Sequence, residues 1–585
     1  MERTAAVEGR RMPNTQLRCE VEEFLDAQEP NYNNELSLLG RRWVSPGYHS
    51  SVPTGAWVHA TRESLSYAAC LTWRGRPADL ARARQVIHAV VSLQERRTTE
   101  ATYGIWPWMY EQPLAAMDPP DWNWADFCGN ALLTIHRVGG ELLGRQTLEE
   151  IREAVEAAAL AIFRRNVDPG YTNIAVMGGV MTAAAGELLG EDWCVEYGRE
   201  RLKRVLEHIR VHGDFTEYNS PTYTMVALEE AERALYLVTD PEVRDAAERL
   251  RWQAWTVIAD HFHPATDQWA GPHSRAYSDY LKPNVARRIG RSVARELRIA
   301  EQIAEERSIL DDVPSIVPEL PCPDELRCQF DARHSAGREV RRRFFLHHDG
   351  RERTGYTWID PEVSLGSISD DSMWTQRRGV IGYWRGGPTR PAVFRIRGLK
   401  DGRDFASLQV LAAQRERTVL AAVTPACGYG DYHLSLDRST TGCYDASSLV
   451  VRLSVAGDGA RVTGPDSGTW LLSCGEWGVS VRIIDACFGA GTIRWSSGCD
   501  NEHGRGRCPV ACLDAELTGA GRFCPQELHD ARVVVLAQVI RAADAADSAT
   551  ACDDLVSTAT ESHINYACAG LSLAVPRFPS TRVSR

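Results

Sequence analysis

The stretch "GDFTEYNSPTYTMV", which begins at Gly213, sets Glu217, Tyr218, Asn219, Ser220, Pro221 and Tyr223 close together. Pro221, with Asn219 or Ser220 as an N-cap, is explained by a helix start. Glu217, Tyr218 and Tyr223 are not. A tyrosine hydroxyl can give a proton, and it can take one where nearby cations or donors favour the phenolate over a phenol whose ordinary pKa is about 10. A second polar stretch, "DQWAGPHSRAYSDYL", supplies His273, Arg275, Tyr277 and Tyr280. "GAWVHATRE" adds Trp57 and His59, while "ATYGIWPWMYEQP" and "PPDWNWAD" add Trp106, Trp108, Tyr110, Trp122, Asn123 and Trp124. Aromatic faces interspersed with amides and acids suit a sugar, whose ring faces stack and whose hydroxyls need polar partners.

Helices must carry most of these residues. Apolar positions recur at i, i+3, i+4 and i+7 over Val52–Arg74, Ala78–Glu95, Trp122–Val138, Leu148–Arg165, Tyr171–Leu189, Trp193–Val211, Tyr218–Val238 and Pro241–Phe262. A longer, charged helix is expected over Val285–Leu310. "DWNWADFCGNALLTIHRVGG" aligns without gaps on "YTNIAVMGGVMTAAAGELLG", matching Asn123 to Asn173 and Gly129 to Gly179 at an offset of 173 − 123 = 50 residues. Tyr223 lies another 50 residues on. A repeat of that length, with one Ala/Gly-rich helix and one charged helix per unit, predicts an array of α-hairpins able to close into an α/α toroid. After Pro321 the texture changes to short β-branched and aromatic runs such as "GVIGYWRG", "PAVFRIRG" and "WGVSVRIIDA". These predict an antiparallel β-sandwich. The expected fold class is thus α+β and multidomain: an extension (1–45), an α/α toroid (46–312), a proline-rich linker (313–330), a β-sandwich (331–575) and a loose tail (576–585).

A toroid followed by a sandwich, with Asn173 on one inner helix and a Glu217-x-x-Ser220-x-x-Tyr223 pattern about 50 residues later, resembles the heparinase II/III-like and alginate-lyase-like polysaccharide lyases. The resemblance covers most of residues 50–480 and implies β-elimination at a uronate. That chemistry removes the C5 proton beside a carboxylate, which requires neutralising the carboxylate and stabilising an enolate-like transition state. It implies Asn173 as charge neutraliser, Tyr223 as base, acid or both, and His273 and Arg275 as second base and carboxylate clamp. Trp57, His59, Trp106, Trp108, Tyr110, Trp122, Asn123, Trp124, Glu217, Tyr218, Tyr277 and Tyr280 are then candidates for sugar contact. Related lyases often place His directly after the Asn, whereas this chain has Ile174. The histidine role must move to His273, His347 or His348, or tyrosine must act alone.

Two other readings stay open. A glycoside hydrolase would pair Glu217 with Asp126 or Glu111 across a sugar, and a non-catalytic glycan binder would be consistent with Ile174. The net charge of −12 leaves no basic footprint for nucleic acid. No run of about 18 apolar residues suggests a membrane span, and no signal-peptide core is visible, so a cytoplasmic location is expected. The sixteen cysteines are scattered and expected to be reduced. "CDNEHGRGRCPVAC" holds Cys499, His503, Cys508 and Cys512, but the spacing fits no standard zinc finger and reads as a surface loop. No cofactor or metal is expected, the partner is an acidic poly- or oligosaccharide, and the oligomeric state is open, a homodimer being one option.

Overall fold

The computed structural model describes residues 15–46, 48–298, 309–331, 337–370, 375–388, 390–427, 439, 441–466, 468–500, 508–545 and 554–581. The chain divides into two compact units. The first comprises Met1–Leu206, Val226–Arg251 and Ser308–Leu320; the second comprises Glu207–Met225, Trp252–Arg307 and Pro321–Arg585.

The first unit is helical. Helix Thr61–Arg74 packs on both Pro77–Ser92 and Trp124–Gly139, and Trp124–Gly139 packs on Arg145–Arg165 and Thr172–Leu189. Pro77–Ser92 in turn packs on Arg145–Arg165, so alternate helices fall into two rows, as hairpins predict. The Ala/Gly-rich helix is in the inner row: every residue from Thr172 to Gly186 is buried. It is also long and apolar enough to cross a membrane, contrary to the expectation from sequence, but 83% of it is buried within the protein, as befits a core helix. A short sheet of Tyr32–Asn33, Leu38–Arg42 and Trp57–His59 precedes the helices, so the element expected from Val52 begins as a strand and turns helical only at Thr61.

The second unit is built on two antiparallel sheets. The first runs, in spatial order, Arg494–Asp500, Val510–Thr518, Leu449–Ala456, Ala392–Lys400, Val380–Trp384, Val363–Ile368, Glu352–Ile359 and Arg338–Leu346. The second runs Leu408–Arg415, Thr418–Cys427, Arg532–Arg541, Trp477–Cys487, Thr469–Cys474 and Arg461–Asp466. Val363, Phe394, Leu453 and Leu513 of one sheet share a core with Val410, Val423, Val479 and Val535 of the other, which makes the pair a sandwich. Strands Val363–Ile368 and Val380–Trp384 are buried along their whole length. Their outer faces are covered by the polar stretches around Tyr218 and His273: Tyr218 joins Phe344 and Ile368, and Tyr280 packs on Ile381, Tyr383 and Val393.

Several expectations need correction. The helix expected from Val285 to Leu310 ends at Val293, where Ala294 turns left-handed (φ 54°); residues 299–308 lie outside those described. The helix expected from Tyr218 starts at Tyr223, because Asn219 adopts φ 47° and is held by side-chain bonds instead. Ser580 and Thr581, assigned to a loose tail, pair in parallel with Ala426 and Cys427. The cysteines are not all reduced. Strands Tyr444–Ala446 and Gly521–Phe523 pair Tyr444 with Phe523, which brings the flanking Cys443 and Cys524 into a disulfide. Cys568 is also disulfide-bonded, and the other described cysteines are free.

The cover on the first sheet depends on the missing side chain at Gly366. A Cβ there would lie 1.9 Å from the carbonyl oxygen of Gly271, which also accepts a bond from Thr357 Oγ1 at 2.7 Å. Gly366→Ala is therefore expected to lift the 271–275 segment off the sheet and to destabilise the β unit by about 1–3 kcal/mol. Urea denaturation followed by circular dichroism checks this; an unchanged midpoint would show that the segment is not seated there.

Candidate active site

Ser220 caps the helix Tyr223–Leu237, its Oγ accepting the Tyr223 N–H at 3.0 Å while donating to the Arg275 carbonyl at 2.6 Å. Asn219 does more than a cap could. Its Nδ2 donates to the carbonyls of Ala270 and Pro272 at 2.9 and 2.8 Å, its Oδ1 accepts the Trp269 indole N–H, and its carbonyl meets His273 Nδ1 at 2.6 Å. Asn is one of the few residues that tolerate the left-handed backbone this requires. The two stretches singled out from the sequence, about 55 residues apart, are thereby clasped into one body.

The clasp places Glu217 and Tyr223 beside Arg275 and Tyr277. Arg275 is 5% exposed, and its Nη1 donates to Glu217 Oε1 at 2.8 Å while its Nε donates to Gln376 Oε1 at 2.9 Å. Its guanidinium carbon lies 4.3 Å from the centre of the Tyr223 ring. The Tyr223 hydroxyl is 2.6 Å from that of Tyr277. Tyr223 is half-buried and Tyr277 is 46% exposed, so this pair of phenols is the part of the cluster within reach of solvent. A cation against the face of a ring interacts favourably with it, and more so if the oxygen becomes anionic.

The supports are ionic. Backbone groups of His273 and Arg378 bond reciprocally at 3.1 and 2.8 Å, and the Ala276 N–H donates to the Gln376 carbonyl at 2.8 Å. Buried Asp279 takes Arg378 Nε at 2.5 Å and Arg395 Nη1 at 3.0 Å, which anchors the far end of the loop to the sheet. Gln376, Arg378 and Asp279 were not singled out in the sequence.

Other candidates fall differently. Tyr218 is fully buried, stacks on Phe344 at 4.7 Å and bonds His261 Nε2 at 2.9 Å, so it is a core residue and not a sugar contact. Burial holds its hydroxyl well above the ordinary range. His273 is 1% exposed, and burial lowers its pKa to about 4 despite its bond to the Asn219 carbonyl; it is a neutral strut of the clasp. Tyr280 donates to the Pro391 carbonyl at 3.3 Å. His347 is half-buried, near Phe345.

In the helical unit, Trp106 is fully buried with its N–H on the Val90 carbonyl, so it too is core. Trp108 is nearly buried, donates to Asp121 and contacts the rings of Trp43 and Trp124; Trp124 donates to Thr61 Oγ1. Trp57 and Tyr110 are each 49% exposed, and Trp122 is partly so. His59 Nδ1 meets Glu111 Oε1 at 2.6 Å, which commits both. Asn123 donates to the Tyr171 hydroxyl at 3.2 Å and accepts from Arg165 at 2.7 Å. Asn173 is buried in the first turn of Thr172–Leu189. Burial raises Asp126 to about 7, a value fit for a general acid, but the residue is 2% exposed beneath Gly178, where no sugar can reach it. Glu217, the other carboxylate of the hydrolytic reading, is held by Arg275.

His503 lies outside the described residues. Cys499 and Cys512 sit on the adjacent strands Arg494–Asp500 and Val510–Thr518. Among the described residues, the grouping with metal-ligand spacing is Cys443, Cys524 and Glu527, and both of its thiols are spent in the disulfide.

A domain of unknown function (DUF8769) matches residues 32–287. No curated protein matches the chain. Among solved structures, the chain is similar to the chondroitin AC lyase of Streptomyces coelicolor A3 at 13% identity and TM-score 0.47, covering 95% of this chain and 84% of that one. It is similar to a heparinase III at 10% identity and TM-score 0.40, covering 97% and 98%. The heparan sulfate lyase of Pedobacter heparinus follows at 8% and 0.35, covering 98% and 91%. At these scores the likenesses carry no weight for the chemistry.

Burial lowers His261 to about 3 and His263 and His273 to about 4, all within the second unit. Unfolded histidine takes a proton near pH 6.5. The folded unit refuses that proton until about pH 4, so its stability is intact above pH 6.5 and falls as pH drops through that interval. Asp214, raised by burial to about 6, works in the opposite direction and offsets part of the loss. The net expectation is a loss of several kcal/mol between roughly pH 6.5 and 4. Urea midpoints at neutral and mildly acid pH measure it, and a midpoint that does not move with pH would contradict the buried neutral state.

Proposed function

We propose that this protein is a lyase that cleaves a uronate-containing poly- or oligosaccharide by β-elimination, with the helical hairpins forming part of an α/α toroid. The observation that carries the reading is the solvent-accessible phenol pair with a buried guanidinium 4.3 Å from the Tyr223 ring. A phenol can abstract a C5 proton beside a carboxylate only as phenolate, and it is one near neutral pH only when a cation is built in beside it. Arg275 supplies that cation. Glu217 and Gln376 fix its plane, and because Arg275 is engaged with them its role here is to hold charge against Tyr223 rather than to reach out as a carboxylate clamp. Neutralisation of the substrate carboxylate is assigned to Asn173 on resemblance alone. Trp57, Tyr110, Trp122 and Asn123 remain candidates for sugar contact.

The hydrolytic reading has less support, since Glu217 is ion-paired and Asp126 is sealed from solvent. The names of the similar structures suggest the first substrates to try: chondroitin sulfate and heparan sulfate, with hyaluronan and alginate beside them. Cleavage is expected to generate the ultraviolet absorbance of an unsaturated uronate, and Tyr223→Phe to lower its rate by about 10²–10⁴-fold. Arg275→Lys keeps the charge but loses the planar two-point hold, and is expected to lower kcat more than it raises KM. Asn173→Ala tests the neutralising role separately. New reducing ends without the absorbance would overturn the lyase reading in favour of hydrolysis.

A further inference from the structure

A single phenol must both collect a proton from C5 and deliver one to the departing C4 oxygen, and it can do so only in sequence. Here there are two phenols. The Tyr223 and Tyr277 oxygens are 2.6 Å apart, a direct O–H···O hydrogen bond. Their rings lie 6.1 Å apart at 60°, so the oxygens meet at their tips rather than through stacking. Their surroundings differ. Tyr223 is half-buried with the Arg275 guanidinium over its ring, whereas Tyr277 is 46% exposed. Tyr277 is also not a casual surface residue. The loop that bears it is tied on one side by the Ala276 N–H on the Gln376 carbonyl, and on the other by buried Asp279 on Arg378 and Arg395.

We propose that Tyr277 is a second catalytic residue, the acid that protonates the leaving glycosidic oxygen while Tyr223 is the base. The inference rests on the lyase reading. In the resting pair the negative charge is on Tyr223, whose ring face lies against the guanidinium, and Tyr277 donates its hydrogen bond to the Tyr223 oxygen. Tyr223 takes the C5 proton, the C5–H electron pair becomes the C4–C5 double bond, and the C4–O bond breaks. The departing oxygen takes the Tyr277 proton. Tyr223 is then neutral and Tyr277 anionic. Transfer of one proton across the 2.6 Å contact restores the starting pair, with no proton gained from or lost to solvent. The side on which Arg275 lies fixes which phenol is the base.

The test uses the full-length protein with chondroitin sulfate, heparan sulfate, hyaluronan and alginate in deuterated water, following both unsaturated product and deuterium uptake at C5 of uncleaved polymer. Wild type should cleave at least one of them. Tyr277→Phe should lose about 10²–10⁴-fold in product formation with KM little changed, yet still exchange the C5 proton, because the base survives. Tyr223→Phe should lose both exchange and cleavage. Tyr277→His, which keeps a donor, should recover part of the rate. If wild type cleaves and Tyr277→Phe cleaves at the same rate, or loses exchange together with cleavage, Tyr277 is not the acid and the lyase reading stands without it. If wild type neither cleaves nor exchanges on any of the four polymers, the lyase reading fails and this inference fails with it.

Discussion

The site depends on a polar strap laid across an otherwise buried sheet. Segments around Asn219 and His273 cover strands whose residues are inaccessible along their whole length, so their backbone groups lose contact with water and must be paired within the protein. Asn219 meets most of that demand in one residue, with two carbonyls on its amide nitrogen, an indole on its amide oxygen and an imidazole on its carbonyl. The left-handed turn at φ 47° makes this possible, and it delays the helix until Tyr223. The same residue therefore decides where the clasp closes and where the helix that bears Tyr223 begins.

Charge is handled in the same way. Arg275 and Glu217 are both nearly buried, and a buried ion is tolerated only when its partner and hydrogen bonds are in place. Gln376 supplies the remaining bond to Nε. One loop further, Asp279 is shared by Arg378 and Arg395, two cations on one carboxylate within the sheet's cover. These networks add little as isolated ion pairs, but they hold a guanidinium plane against a phenol face and a second phenol against the first. A loop held only by apolar packing would let both hydroxyls turn away.

The repeat of Asn123 on Asn173 and the small residues after it signalled an inner helix, and Thr172–Gly186 is indeed buried throughout. The short β-branched and aromatic runs after Pro321 signalled antiparallel strands, and they pair that way. Aromatic content misled where burial and exposure look alike in sequence. Trp106 and Tyr218 carry the same side chains as a sugar platform but turn inward, because each finds its polar partner in the core, at Val90 and His261. The cysteines misled for a related reason. Cys443 and Cys524 are 81 residues apart, and only strand register makes them neighbours.

Sequence alone therefore determined the two textures, the helical repeat and the identity of the chemically able residues: Tyr223, Arg275, Glu217 and Tyr277 were all visible as outliers from their local patterns. Their roles relative to one another were not visible. Whether Arg275 lies against the Tyr223 ring, and whether the hydroxyls of Tyr223 and Tyr277 meet, are matters of a few ångströms between segments some 50 residues apart. Local propensity and periodicity act over a handful of neighbours and contain no such distances. Those distances were set by the sheet, through which outward-facing strand positions could receive a polar strap and satisfy it.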